Sequence, residues 1–128
     1  MNSDILYKDE SYKIMGACFE VYKSIGPGFP EAVYQECLAK EFTTLQVPFS
    51  QLHPLKLSYK GTPLDQCYQA DFLCYDKIIL EIKSVRRIAD EHRAQTINYL
   101  KSTGIHLGLL VNFSHYPKIE YERFVNQY

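Results

Sequence analysis

The chain has no tryptophan, few methionines and no long hydrophobic run. Nowhere does it approach the ~20 consecutive apolar residues that a membrane helix needs, so no segment reads as a span. It also lacks an excess of either charge: Lys and Arg total 14 against 15 Asp and Glu, for a net charge of −1. A global basic field is therefore absent, and a nucleic-acid partner would have to be held by a local patch. The first residues, "MNSDILYKDE", are acidic and lack the basic-then-apolar pattern of a signal peptide. A cytoplasmic protein with no membrane partner is the expectation. Cysteine is scarce and scattered, at Cys18, Cys37, Cys67 and Cys74. No C-x-x-C pair occurs and no histidine lies at zinc-ligand spacing. The cysteines read as small buried thiols in a reducing compartment. Internal repeats and low-complexity tracts are missing too.

What remains is an ordinary globular composition, 46% hydrophobic over 128 residues, enough for one domain with a single core. Residues 8 to 24 read as a helix, with Ile14, Cys18, Val21 and Ile25 at helical spacing before Gly26-Pro27-Gly28. A second helix is expected from about Pro30, which suits a first helical turn, to Leu45. The pattern then turns to extended runs. "VPFSQLHPLKLSY" carries Pro48 and Pro54 and reads as an edge strand or a broken one. "KGTP" is a turn. "CYQADFLCY" and "KIILEIKSV" read as a hairpin around Tyr75-Asp76-Lys77. Residues 89 to 102 read as helix, with Gly104 as its stop, and "HLGLLVNF" as a strand covered on both faces. The tail "YPKIEYERFVNQY" offers no clear period. The expected order is α-α-β-β-β-α-β, with the last strand returning parallel through a right-handed crossover. The fold class is α/β (α+β), a small mixed sheet flanked by helices.

One run stands out. In "DFLCYDKIILEIKS", Glu81 and Lys83 sit in what otherwise reads as buried strand. Alternation puts Ile79, Glu81 and Lys83 on one face, and a turn at Asp76 sets Asp71 opposite Glu81. Like charges directly opposite destabilise a sheet, and buried charges are costly unless compensated. A divalent cation would compensate both carboxylates, and Mg²⁺ and Mn²⁺ prefer such oxygen ligands. The backbone carbonyl of Ile82 would point into the same place as a further ligand. The bland alternative is a turn-capping Asp71 beside a solvated Glu81–Lys83 pair. Three features weigh against it. In "GPGFPEAVY", Glu31 lies in the first turn of a helix, where the dipole alone is reason enough for an acid but where it could also reach a metal if that helix end abuts the hairpin, and Tyr34 follows one turn later. In "HRAQTINYL", Gln95 and Tyr99 share a helical face, with His92 a turn earlier. Lys83, Arg86, Arg87 and Arg93 form a short basic region of the kind phosphate contacts need, although solvated loop charge is the common alternative.

Glu31, Asp71, Glu81-x-Lys83 and Gln95-x-x-x-Tyr99, in this order, resemble the PD-(D/E)XK nuclease superfamily, in particular its RecB-type branch. "GFPEAVY" resembles the signature of the GxxExxY proteins within it. The likeness covers about residues 10 to 113, and Ala70, standing where the superfamily's name has proline, changes no ligand. The resemblance implies a restriction-endonuclease-like α-β-β-β-α-β core and a Mg²⁺- or Mn²⁺-dependent nuclease acting on nucleic acid, with DNA expected. It implies metal binding by Asp71 and Glu81, with Ile82 and Glu31 assisting, and a catalytic Lys83. It implies strand support by Gln95 and Tyr99. The basic residues Arg86, Arg87 and Arg93 would contact phosphates. A protein partner or a homo-oligomer would assist binding, since one small domain carries no separate recognition module. The alternative is a nuclease-like module that binds nucleic acid or a protein without cleaving.

Overall fold

The computed structural model describes residues 5–126. Helix α1 spans Lys8–Ile25 and α2 spans Glu31–Leu45, followed by β1 (Phe49–Tyr59), β2 (Thr62–Cys74) and β3 (Ile78–Lys83). Helix α3 (Asp90–Thr103) leads to β4 (Leu107–Asn112), and β5 (Glu120–Val125) completes the chain. Among the described residues no helix is long and apolar enough to cross a membrane.

The sheet has five strands in the order β1-β2-β3-β4-β5. β1 is an edge strand, where Pro54 does no harm to the ladder. The β2–β3 hairpin turns through Tyr75 and Asp76, both left-handed (φ 56° and 58°), and pairs Cys74 with Ile78. β4 runs parallel to β3 and is buried along its whole length, as an unbroken apolar strand should be. β5 corrects the expected order. The tail is a second edge strand, antiparallel to β4, and its Glu120, Glu122 and Arg123 hide the strand period because each has a polar partner. Two thiols also differ from expectation. Cys18 and Cys74 are buried, but Cys37 is half-buried and Cys67 exposed, all of them free.

The sheet separates two cores. On one face α1 and α2 lay Ile14, Cys18, Leu38 and Phe42 against Phe72, Ile78, Leu80 and Val111. On the other, Leu100 and Tyr99 of α3 pack with Tyr68, Ala70, Leu73 and Ile79. Strict alternation would give Ala70 and Phe72 the same face, yet they belong to opposite cores. The same holds on β1 for Phe49 against Leu55 and Leu57. The faces exchange between the pairs Gln51–Phe72 and His53–Ala70, where Leu52 adopts a left-handed φ of 53° and Asp71 stands across from it. This one irregularity positions the site.

Gly108 on β4 lets α3 close on the sheet. A β-carbon there would lie 3.2 Å from the Thr96 methyl and 3.3 Å from both Leu100 methyls. Gly108→Val is expected to overpack this layer and to lower unfolding stability by about 1–3 kcal/mol in urea titration. An unchanged midpoint would show that α3 yields there freely.

Candidate metal and nucleic-acid site

The β2–β3 ladder runs from Cys74–Ile78 to Phe72–Leu80 and ends there. Beyond it the strands part, and the Asp71 side chain takes over where a backbone partner would have been. Its Oδ2 accepts the Ile82 N–H at 2.8 Å and its Oδ1 accepts Gln35 Nε2 of α2 at 3.0 Å. Glu81 Oε2 in turn accepts the Asp71 N–H at 3.3 Å and the Tyr68 hydroxyl. The two carboxylates are thus cross-connected at the fork between the strands. The Ile82 carbonyl faces the fork too. Both backbone groups of a strand residue point the same way, while the next carbonyl, of Lys83, turns to β4 and accepts the Phe113 N–H at 2.9 Å.

The electrostatics follow from this burial. Glu81 is only 7% exposed. Desolvation first, and then the charge of Asp71, push its carboxyl up to about 7. Burial also raises Asp71, against the opposing pull of the Ile82 N–H, Lys83 and Gln35. Glu31, first residue of α2, is raised by burial and by the field of Asp71, while Lys83 acts the other way. Three acids and one lysine therefore share a field, although among the described residues neither Asp71 nor Glu81 has a direct ion pair.

Tyr34 explains the glycine-rich loop before α2. Fully buried and stacked on Phe113 at 4.7 Å, it donates its hydroxyl to the Gly26 carbonyl at 2.6 Å and accepts the Phe29 N–H. Gly28, at φ 106°, holds a conformation that side chains resist, and its N–H reaches Ser114 Oγ at 3.2 Å. Tyr34 thus fixes the loop and aims the helix end carrying Glu31. Pro30 sits just before the first turn, at the N-cap, rather than within it.

From the other face, α3 contributes Tyr99, which stacks on Tyr68 with centroids 3.6 Å apart. Gln95 lies one turn before Tyr99 on the same face of α3, and burial together with the fields of Glu81 and Asp71 raises the Tyr99 hydroxyl. His92 is spent locally, its Nδ1 accepting the Ala89 N–H at the start of α3. Arg93 does not join the basic patch as expected. Its guanidinium is held by Glu122 and Asp90, each at 2.7 Å, so it braces α3 against β5. Arg86 and Arg87 are exposed in the loop after β3. Gln35 and Tyr68 are additional site residues. Gln35 had a signal, lying four positions after Glu31 on one helical face. Tyr68 had none, because alternation assigns it to the face opposite Asp71.

A mixed sheet carrying paired acids where a central hairpin forks, helices on both faces and a lysine at the strand end defines a nuclease-like domain. The chain belongs to the PD-(D/E)XK nuclease superfamily, whose model matches residues 8–124. Among solved structures, that described as "Crystal structure of SSO0001" is similar, with a TM-score of 0.57 and 17% identity. The match covers 75% of this chain and 50% of that one, so the chain spans half that protein's length, and the likeness is one of fold. A search of curated proteins returns no match.

PD-(D/E)XK nucleases generally use divalent metal ions. The donors present fit one. Two carboxylates raised by burial and a strand carbonyl are hard oxygen ligands. No group of three or more His, Cys, Asp or Glu side chains converges among the described residues, so the fit is to an ion that keeps several waters, as Mg²⁺ does.

Proposed function

We propose that this protein is a Mg²⁺- or Mn²⁺-dependent nuclease hydrolysing DNA phosphodiesters, and that it belongs with the GxxExxY proteins through Gly28, Glu31 and Tyr34. The observation carrying this reading is the pairing of half-buried Asp71 and buried Glu81 at the strand fork, neither with a direct ion pair among the described residues. Asp71, Glu81 and the Ile82 carbonyl would hold the ion, and Glu31 would assist through water. When bound, a divalent cation lowers the pKa of water and neutralises the phosphodiester. Lys83 would orient the attacking water and offset phosphate charge. Gln95 and Tyr99 would support the strand, Tyr99 also bracing Tyr68 against Glu81. Arg86 and Arg87 would meet flanking phosphates.

The test is incubation with single- and double-stranded DNA and RNA in Mg²⁺, in Mn²⁺ and in chelator. Cleavage of DNA that chelator abolishes is the expected result. Calorimetry with Mn²⁺ should show Asp71→Asn weakening binding by at least ~10-fold, since an anionic ligand becomes neutral. Nucleic-acid binding without cleavage in either metal would instead support the non-catalytic module.

A further inference from the structure

Beyond the carboxyl ends of β3 and β4 lies a cleft of about 490 Å³, walled by Arg86, Arg87, Ser114, His115, Tyr116 and Glu120. It adjoins the site. Ser84, next to Lys83, bonds the Phe29 carbonyl and lies 2.5 Å from Ser114 Oγ, which also receives the Gly28 N–H. The loop leading to Glu31 is thereby stitched to the cleft wall.

The cleft's charge is positive and uncommitted. Arg86 and Arg87 are exposed and make no ion pair among the described residues. Its acid, Glu120, is turned inward, where Oε1 accepts the Ile88 N–H at 2.8 Å and Asn112 Nδ2 at 3.0 Å. Tyr116, in the cleft wall with these arginines, is 78% exposed, and Phe29, on the loop that Ser84 ties to the wall, is 43% exposed. Their backbones are anchored. The Tyr22 hydroxyl donates to the carbonyl of His115, just before Tyr116, at 2.6 Å, and the Phe29 N–H donates to the Tyr34 hydroxyl at 3.2 Å.

We propose that this cleft is a cradle for single-stranded DNA, in which Tyr116 stacks an unpaired base, with Phe29 on the adjoining loop as a second platform, while Arg86 and Arg87 hold the phosphates leading to the carboxylates. The proposal rests on the nuclease reading for its direction, and it specifies the substrate as unpaired strand. Exposed rings on fixed backbone are stacking platforms that lose little freedom on binding. A duplex hides its base faces and offers them nothing, and a cleft of this volume is of small-molecule size.

The test is fluorescence anisotropy in chelator, with a labelled single strand and a blunt duplex of the same sequence. The single strand should bind at least ~10-fold tighter, and Tyr116→Ala should remove about tenfold of that affinity without altering duplex binding. The double variant Arg86→Gln/Arg87→Gln should reduce the salt slope on single strand by about 1.4, the value for two phosphates. Equal affinity for the two forms, or an unaffected Tyr116→Ala, overturns the cradle. Metal-dependent cleavage is scored separately. Its failure alongside a preserved strand preference removes the nuclease reading and leaves the cradle; cleavage with no strand preference does the reverse.

Discussion

Lys83→Ala should lower metal-dependent cleavage by ~10²-fold or more while leaving folding and Mn²⁺ affinity near wild type. That is the scale for a positioned electrostatic or acid–base group. The separation is possible because the backbone of Lys83 is secured independently of its side chain. Its carbonyl accepts the Phe113 N–H at 2.9 Å and its Cα is in register with Asn112. The side chain is half-buried and makes no direct hydrogen bond or ion pair among the described residues, although its charge reaches Glu31, Asp71 and Glu81. Lys83→Arg should restore charge but only part of the rate, because arginine stays protonated and cannot act as a base. Wild-type cleavage matched by Lys83→Ala would end the catalytic assignment and leave the fold untouched.

The second large effect is on stability. Glu81 has its carboxyl raised from an ordinary 4.5 to about 7. Between those values the folded protein keeps a proton that the unfolded chain has released. Stability of the metal-free protein must therefore fall as pH rises from about 5 to about 7, and level off above. The loss is on the order of 3 kcal/mol, or roughly 10 °C in Tm for a domain of this size. Asp71 and Glu31 are raised as well and add to the same slope. Glu81→Gln cannot ionise and should remove most of it. A divalent cation, binding the ionised acids, should recover the stability lost at pH 8. Thermal melts at pH 5, 6, 7 and 8, with and without Mn²⁺, measure all three. A Tm that rises with pH, or a Glu81→Gln variant that keeps the full slope, contradicts the assigned burial.

The helices and the β2–β3 hairpin were legible because their signals are local: helical spacing ended by Gly26 and Gly104, and apolar runs joined by a tight turn. β5 was not, since its polar side chains are satisfied by residues far away in sequence, Glu122 by Arg93 and Arg123 by Ser11. The same distance misassigned Arg93, whose partner lies on the strand that the sequence did not reveal. Placing Asp71 opposite Glu81 by counting back from the turn anticipated their contact, but as a ladder pair. The ladder in fact stops at Phe72, and the acids meet where the backbones separate. Period-two reasoning also hid Tyr68. Only the exchange of faces at Leu52 and Asp71 turns that ring toward Glu81, and a left-handed leucine inside a strand leaves no mark in composition.

Asp71 serves as the last rung of the hairpin, taking the Ile82 N–H that no backbone carbonyl takes. An alanine there would strand a half-buried donor, so a loss of function in that variant would mix misfolding with lost chemistry, whereas asparagine keeps an acceptor. The hairpin needs an acceptor at position 71 whether or not the site is catalytic, whereas the Lys83 side chain enters the fold only through its field on Glu31, Asp71 and Glu81. What the hairpin asks of position 71 is an acceptor, which aspartate and asparagine both supply; only the charge that distinguishes them bears on the chemistry of the site.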